Sequence, residues 1–387
     1  MNDISFIIAV YNNQKYFPLA VNSIVSQLHT SEIELIIVDD GSTDNTSQIA
    51  DELAQKDKRI KVIHQQNQWI YASFNNGIKA AKGEYIYILN SDDKLVDGAV
   101  QKLLGSIEKY NHPDVVWTKV LWQDVDFEQN VIDEHDLNPG IKEDMYFASM
   151  DSVRANWLSV LDTGVAINQA NLYKRELALR HPFRNDYYAA DSFFNIGIAS
   201  DIHSMAFLAD SIYRYMSYSD NQMNASIGKI YGYEHRMFNE LLASEIDVYK
   251  QWGKKNDFLD KIVERRLKEL SYEIETLEFK NCNLDRGTRI AYVFNTIADN
   301  QIRKLARDVN REREYESRVL TGCRKLIAHM ALQDVVPKFA KILIAYLPDN
   351  YLDNPDESII NKDIVLSSIN DRANTDRIGE IYYSTTW

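Results

Sequence analysis

The chain has 387 residues, of which 45% are hydrophobic and 26% charged, and it carries a formal net charge of −14 at pH 7. This composition excludes disorder along the whole chain and is typical of a folded protein with about two or three domains. The negative charge excludes broad nucleic-acid binding, because a protein that binds a duplex needs a cationic surface.

Cysteine content and hydropathy indicate a cellular compartment. The two cysteines, Cys282 and Cys323, do not make a disulfide framework, which favours a reducing compartment. The N-terminus lacks the basic start of a signal peptide, and no segment reaches about 18 uninterrupted apolar residues. We therefore expect a cytoplasmic protein, and contact with the inner face of the cell membrane stays open.

The first hundred residues alternate between strand and helix patterns. Continuous apolar, β-branched runs predict buried strands at 4–10, 33–40, 60–65 and 84–89. Helical spacing lies between them, at 17–28, 42–56 and 72–82, and Ser42 or Thr43 is the expected N-cap of the second helix. Strands that alternate with helices predict an α/β fold with a mostly parallel sheet.

Polar residues follow three of these strands. They are Tyr11-Asn12-Asn13, Asp39-Asp40-Gly41-Ser42 and Asn90-Ser91-Asp92-Asp93. Ligands of such sheets bind beyond the carboxyl ends of the strands, so these residues predict a site at one edge. Asp92, with Asp93 or Asn90 beside it, offers the hard oxygen ligands that Mg²⁺ or Mn²⁺ prefers. Since no Walker loop or GxGxxG motif is present, we expect a nucleotide to be held through the metal.

The later chain changes in character. Residues 123–151 are acidic and rich in turn residues, which predicts a long loop of the kind that often forms a lid. From about residue 230 the apolar residues keep helical spacing. We therefore predict two domains, an α/β domain at 1–229 and a helical domain at 230–387.

The helical domain has an unusual charge balance. Residues 251–341 contain 19 Lys and Arg against 14 Asp and Glu. This excess, with the apolar segment 335–347, is compatible with contact to an anionic membrane or a lipid-linked acceptor. Ordinary solvated helices, and contact with another copy of the chain, are the alternatives.

Several segments, taken in order, resemble the motifs of one enzyme family. They are "FIIAVYNN", "ELIIVDDGSTDNT", "IKVIHQQN" and "ASFNNGIKAAKGEYIYILNSDD", followed by "GVAINQANLYKREL", "PFRNDYYAADSFF" and "IYRYMSYSDNQMNAS". In order and spacing they resemble the family 2 glycosyltransferases with the Rossmann-like GT-A fold. The resemblance is closest over residues 3–105 and extends to about residue 226.

The resemblance implies a function and a set of site residues. It implies a metal-dependent enzyme of the hexosyltransferase type, with Mn²⁺ or Mg²⁺, that moves a sugar from a UDP-sugar to a glycan or lipid-linked glycan with inversion, in bacterial surface polysaccharide synthesis. Asp191 would be the catalytic base and Asp92 the metal ligand of a DxD-like motif. The implied nucleotide-sugar-binding residues are Ala9, Tyr11, Asp39, Asp40, Asn67, Asn90, Ser91 and Asp92.

The chain departs from the family pattern at several positions. Asn90 replaces an aspartate, Phe74 an arginine and Ala190 a glutamate. Met216 and Ser217 stand where a basic residue is common, which leaves Arg214 as a substitute. These changes motivate the alternative of a catalytically weakened partner protein that binds nucleotide-sugar or glycan. A nucleotidyltransferase on a similar sheet is a further alternative, disfavoured because no glycine-rich basic loop follows the first strand.

Simpler structural roles compete with the implied ones. Asp39 and Asp40 would serve in turn formation and capping, and Asp93 would cap a helix near Val96. Asp191 has a nearby rival in Asp186. His64 and His181 are typical of structural or surface groups, His135 has no evident partner, and Trp69 is the aromatic residue expected near donor or acceptor.

Overall fold

The computed structural model describes residues 3–27, 33–126, 128–166, 170–218, 230–254, 256–277, 282, 284, 292 and 300–318. The chain divides into two compact units, Met1–Asn224 and Ala225–Trp387. This division falls slightly before the boundary that we predicted after residue 229. The roles assigned to the two domains stay predictions.

Within the described residues, the first unit contains a single sheet of ten strands. They are β1 (Ile4–Val10), β2 (Ile33–Asp39), β3 (Ile60–His64), β4 (Tyr85–Ile88), β5 (Lys94–Leu95), β6 (Val115–Val125), β7 (Val131–Asp136), β8 (Met145–Phe147), β9 (Leu172–Lys174) and β10 (Met205–Tyr218). The strand order is β3-β2-β1-β4-β9-β6-β10-β5, with β7 beside β6 and β8 beside β10. Six strands run in one direction, and β5, β7, β8 and β9 run against them. The predicted α/β fold with a mostly parallel sheet is confirmed.

Helices alternate with the strands of this unit. They are α1 (Phe17–Val25), α2 (Thr46–Lys56), α3 (Ile70–Ala80), α4 (Ala99–Lys109), α5 (Met150–Ala155), α6 (Trp157–Asp162), α7 (Arg175–Arg180) and α8 (Ala190–Ile198), which a 3₁₀ turn at Ala199–Asp201 follows. All residues of β1, β2 and β4 are buried. Continuous apolar runs are the pattern expected of strands covered on both faces, so the hydrophobic core lies on either side of these strands.

The segment 123–151 is not a long loop. It holds the end of β6, the whole of β7 and β8, and the start of α5. Val131–Asp136 pairs antiparallel with Leu121–Val125. The sequence "VIDEHD" is mostly charged, and five of its six residues are exposed on an outer strand. It therefore lacks the apolar pattern from which a strand is predicted. The loop prediction was wrong.

The register places the ends of β6 and β10 beyond the rest of the sheet. Phe6 pairs with Tyr87, Tyr87 with Leu172, and Leu172 with Val116. Because β1 ends four residues after Phe6, at Val10, the same level on β6 is Val120. Residues 121–125, with their partners in β7 and β10, therefore extend past the carboxyl ends of β1 and β2. We call this extension the projecting ribbon: residues 121–125, 131–136 and 214–218.

The second unit is helical in the residues that are described. Its helices include α9 (Glu234–Gln251), α10 (Asn256–Thr276) and α11 (Asn300–Asp308). Arg266 and Glu273 form a buried ion pair at 2.6 Å, and Cys282 is buried. Cys323 and the apolar segment 335–347 lie outside the described residues. None of the helices in the described part of the chain is long and apolar enough to cross a membrane.

Candidate active site

Hydrogen bonds join the loops that follow β1, β2 and β4. The Asn12 backbone N–H donates to Ser42 Oγ at 3.0 Å, and Asn12 Oδ1 accepts from the Thr43 N–H at 2.7 Å. Asn13 Nδ2 donates to the Ser91 carbonyl and to Ser91 Oγ, both at 3.0 Å. The prediction that three strand ends meet at one edge is therefore confirmed.

Two asparagines that the sequence analysis left without a role hold this edge together. Asn12 has φ = 49°, a left-handed conformation that asparagine tolerates better than most residues. Asn13 is buried, and its amide spans the gap between the β1 and β4 loops. The signal was present in the sequence as the paired amides of "YNN" directly after a buried strand.

Helix α2 begins later than predicted. Ser42 and Thr43 do not cap it, because they are engaged with the β1 loop and with Asp39. The helix begins at Thr46, whose N–H donates to Asp44 Oδ1 at 2.9 Å. The predicted N-cap was wrong because long-range contacts of the edge take these hydroxyls.

Asp39 is buried and well supplied with donors. Its Oδ1 accepts from the Ser42 N–H at 3.1 Å, and its Oδ2 accepts from Ser47 Oγ at 2.5 Å and lies 2.9 Å from His64 Nδ1. Burial disfavours the charge, but hydrogen bonds from Ser42, Ser47 and His64 outweigh it and hold the pKa of Asp39 below its ordinary value. Asp39 is therefore already engaged by donors from both the β2 loop and the end of β3.

Asp40 organises the start of α3. Its Oδ1 accepts from the Gln68 N–H and its Oδ2 from the Trp69 N–H, both at 2.9 Å. Trp69 is 37% exposed and has φ = 76°, so these bonds hold its backbone in a conformation that bulky residues rarely adopt. The competing role that we predicted for Asp40 was capping before the segment "STDNT"; these contacts are instead at the start of α3.

The remaining predicted nucleotide contacts lie around the same edge. Ala9 is buried in β1, while Tyr11, just past the end of that strand, is 49% exposed. Asn67 is exposed, and its backbone nitrogen would lie 3.0 Å from a Cβ added at Gly41. Gly41 also has φ = +77°, so the β2 and β3 loops approach closely only with glycine there.

Asp93 is a buried structural carboxylate. Its Oδ1 accepts from the Met216 N–H at 2.8 Å, and its Oδ2 accepts from Tyr213 Oη at 2.5 Å and from Asn90 Nδ2 at 3.2 Å. Burial and the adjacent charge of Asp92 raise its pKa, against the effect of these donors. The predicted capping role is wrong, because Lys94 and Leu95 form β5 and the next helix begins at Ala99.

Asp92 lacks these donors. Burial raises its pKa to about 6, and the opposing contribution comes from its own backbone. Tyr218 Oη donates to the Asp92 carbonyl at 2.7 Å and fixes the backbone at this point. Nearby, the Oδ1 atom of Asn90 is buried without a hydrogen-bond partner. A carboxylate and an orphaned amide oxygen are both hard donors that suit Mg²⁺ or Mn²⁺.

The protein ligands for such an ion would be few. Among the described residues, no group of three or more His, Cys, Asp or Glu could hold a metal ion. Mg²⁺ commonly binds one or two carboxylates, with waters and substrate phosphates completing its coordination. The residues present therefore fit a metal that arrives with a nucleotide diphosphate rather than a metal held by the protein alone.

Asp191 lies in the first turn of α8. Its Oδ1 accepts from the Ser192 N–H at 2.8 Å, and burial raises its pKa to about 6. At pH 7 it would be about 90% ionised yet a stronger base than an ordinary aspartate. Its rival Asp186 is 54% exposed and is ion-paired with Arg184 at 2.5 Å, an arrangement typical of a surface salt bridge.

The structure also shows the surroundings of residues that depart from the family pattern. Phe74 is fully buried and packs against Tyr71 and Phe183, so an apolar cluster occupies the place expected for an arginine. Arg214 pairs in register with Lys94, and its Nε atom is buried without a hydrogen-bond partner. Burial and the nearby Arg214 charge lower the pKa of Lys94. Two like charges in such a position would be stabilised by an anion.

Known proteins resemble this chain over part of its length. Residues 5–177 match the family model described as Glycosyl transferase family 2. Glycosyltransferase GlyG of Streptococcus pneumoniae serotype 4 is 40% identical over 107 residues, or 27% of this chain and 35% of GlyG. The uncharacterized glycosyltransferase EpsJ of Bacillus subtilis is 30% identical over 220 residues, or 55% of this chain and 60% of EpsJ. The chain thus covers less than two thirds of either relative.

A solved structure extends the likeness in fold. The crystal structure of S. aureus TarS 1–349 in complex with UDP-GlcNAc matches with a TM-score of 0.58 and 18% identity, over 83% of this chain and 92% of that one. At this identity the match shows the fold alone, a GT-A-like α/β domain with a helical C-terminal region. Together with the match of residues 5–177, it means that the N-terminal part of this chain is similar to glycosyltransferase family 2 in sequence and to a GT-A-like structure in fold.

Proposed function

We propose that the chain is an inverting glycosyltransferase that moves a sugar from a UDP-sugar to a hydroxyl of a glycan or lipid-linked glycan. The observation that carries the proposal is the hydrogen-bonded meeting of three strand-end loops beside Asp92, within a region that matches glycosyltransferase family 2. The UDP-GlcNAc named for the TarS crystal supports a UDP-sugar as donor. The named glycosyltransferase relatives are bacterial, which supports a setting in surface polysaccharide synthesis.

The proposed reaction needs one base. The acceptor hydroxyl oxygen attacks the anomeric carbon and forms the new C–O bond, while the bond from that carbon to the UDP oxygen breaks and its electron pair leaves with UDP. The hydroxyl proton passes to the carboxylate of Asp191, whose pKa of about 6 matches proton acceptance near neutral pH. A single displacement inverts the anomeric carbon.

Charge at the leaving group must be balanced. Asp92 and Asn90 would hold Mn²⁺ or Mg²⁺, which supplies Lewis-acid stabilisation of the departing diphosphate. Arg214 and Lys94, paired in register beside this site, would give further positive charge to the phosphates. Asp39, Tyr11 and the Asp40-supported loop would bind the base and ribose.

Donor turnover and two substitutions test this function. We expect UDP release from a UDP-sugar in the presence of Mn²⁺, and a loss of about 10²–10⁴-fold in transfer for Asp191→Asn with UDP affinity nearly unchanged. Asp186→Asn is the matched control, because this exposed aspartate lies nearby yet has no proposed role, and it should keep wild-type transfer. Asp92→Ala should remove the metal dependence of UDP binding, measured by calorimetry.

The same assay separates the alternatives. Wild-type turnover in Asp191→Asn would show that another group is the base. Release of pyrophosphate in place of UDP would identify a nucleotidyltransferase. UDP-sugar or glycan binding without release of either product would support the binding-partner alternative, which the buried Phe74 at the expected arginine position favours.

A further inference from the structure

The projecting ribbon carries a row of three aromatic rings from three adjacent strands. Tyr215 pairs with Trp122, and Trp122 with His135. The Tyr215 and Trp122 rings stack with centroids 4.5 Å apart at 21°, and the Trp122 and His135 rings with centroids 5.8 Å apart at 22°. His135 is exposed and the other two are partly exposed. We call this set the aromatic row.

A polar row lies beside it on the same face. Side chains on a strand alternate between faces, so the residues two positions further along, Ser217, Asp124 and Asp133, share the face of the aromatic row. Ser217 pairs with Asp124, and Asp124 with Asp133. Trp122 Nε1 donates to Asp124 Oδ1 at 3.0 Å, and the Ser217 hydroxyl also contacts Asp124. Aromatic rings thus lie beside carboxylates that can accept hydrogen bonds from hydroxyl groups.

Two observations place this surface next to the proposed reaction centre. Residues 121–125 extend past the carboxyl ends of β1 and β2, at the edge where Asp39 and Asp92 lie. Tyr213, two residues before Tyr215 and on the same face, donates to Asp93, and the Met216 N–H does so as well. The aromatic row therefore begins at the strand segment that holds the Asp92-Asp93 loop.

The charge of the ribbon restricts its ligand. The projecting ribbon has four acidic residues against one basic residue, Arg214; the acidic ones are Asp124, Asp133, Glu134 and Asp136. A polyanionic chain would be repelled by this surface, because like charges placed together destabilise a complex. Neutral sugars offer apolar C–H faces to aromatic rings and hydroxyl donors to carboxylates.

We propose that the aromatic row and the adjacent polar row form an acceptor subsite for a neutral oligosaccharide. The subsite binds sugar units next to the one whose hydroxyl reacts, and so positions that hydroxyl at the edge of the sheet. Trp122 is its central contact, and Asp124 and Asp133 accept hydrogen bonds from sugar hydroxyls. This assignment rests on the proposed function for its role as acceptor site.

Glycan binding and acceptor kinetics test the subsite. The full chain is incubated on an array of neutral and acidic oligosaccharides, and the neutral oligosaccharide that it retains best then serves as acceptor. We expect retention of neutral glycans only, and a loss of about tenfold or more in affinity for Trp122→Ala. In transfer assays the KM for the acceptor should rise by a similar factor, with the KM for the UDP-sugar unchanged.

Two further variants separate binding from folding. His135→Ala removes an exposed ring from the outer strand and should also weaken acceptor binding at unchanged thermal stability. Tyr146→Ala is the matched control, since Tyr146 is an exposed aromatic residue of β8 whose ring is tilted against that of Tyr110, with centroids 5.3 Å apart, and takes no part in the aromatic row. It should leave acceptor KM unchanged.

The outcomes are distinct for the two proposals. UDP release without any neutral glycan retained, or with Trp122→Ala and His135→Ala both at wild-type affinity, overturns the subsite and leaves the glycosyltransferase proposal standing. Retention of acidic glycans alone overturns it too. Glycan retention that depends on Trp122, without UDP release from any UDP-sugar, supports the surface as a glycan site and counts against the proposed transfer reaction.

Discussion

The hydrogen bond from Tyr213 to Asp93 gives a sharp test of how the candidate site is held. Tyr213 is 1% exposed, and its Oη donates to Asp93 Oδ2 at 2.5 Å and accepts from the Asn90 N–H at 3.3 Å. Tyr213→Phe removes both contacts without changing the ring. The buried Asp93 oxygen and the Asn90 N–H then both lose a partner, and a buried polar group left unsatisfied costs about 1–3 kcal/mol, so we expect a loss of about 2 kcal/mol in the free energy of unfolding.

Tyr85 provides the matched control. It is also fully buried, and its Oη donates to the neutral Pro113 carbonyl at 2.8 Å. Tyr85→Phe should cost about 1 kcal/mol. In a domain of roughly 200 residues these losses correspond to a decrease in melting temperature of about 4–8 °C for Tyr213→Phe and about 2–4 °C for Tyr85→Phe.

Thermal unfolding and UDP titration provide the measurements. Tyr213→Phe should also weaken Mn²⁺-dependent UDP binding, because the loop with Asp92 loses a support, while Tyr85→Phe should bind UDP as the wild type does. Equal destabilisation by the two substitutions would show that losing the Asp93 and Asn90 contacts costs no more than losing the single bond to the Pro113 carbonyl. Unchanged UDP binding in Tyr213→Phe would show that this support does not govern the site.

Three further predictions concern backbone, stability and rate. Gly41→Ala should destabilise the protein by more than about 1 kcal/mol in urea unfolding, because φ is +77° and backbone atoms crowd the added Cβ; Gly105→Ala, in α4 with open space around it, should be neutral or stabilising by up to about 1 kcal/mol. Hydrogen bonds that the His64 ring donates to Asp39 and Asp51 raise the pKa of His64, so its stabilising effect is complete below the unfolded value of about 6.5 and is lost as pH rises through the folded pKa. His64→Gln should therefore cost about 0.5 kcal/mol at pH 5.5 and less at pH 9, since the side chain is 46% exposed. Because Asp191 must be ionised to act as base and burial raises its pKa to about 6, kcat/KM should fall about tenfold per pH unit below that pH; a profile flat to pH 4.5 would argue against it.

Much of the first unit could be read from the sequence because its strands are buried on both faces. Such strands, as in 4–10 and 33–39, are continuous apolar runs that local composition identifies. The polar residues that follow them were recognisable for the same reason. The resemblance to a family then supplied roles for residues such as Asp191, which no local pattern distinguishes from Asp186.

The strands near the acidic segment could not be read in this way. Val131–Asp136 pairs on an outer edge and is mostly exposed, so it carries no apolar alternation. The start of α2 was also misplaced, because Ser42 and Thr43 bind groups about 30 residues away in the sequence. Local propensity cannot anticipate such competition between a cap and a distant partner.

The sequence by itself determined the alternation of strands and helices, the acidic tips of the strands and the excess negative charge, since each depends on local composition. Tertiary structure alone decided that Asp93 supports the loop while Asp92 is left without a partner, because donors from Tyr213 and Met216 reach only one of two adjacent carboxylates. It also brought Tyr215, Trp122 and His135 into one row, since strand register is a property of the folded sheet.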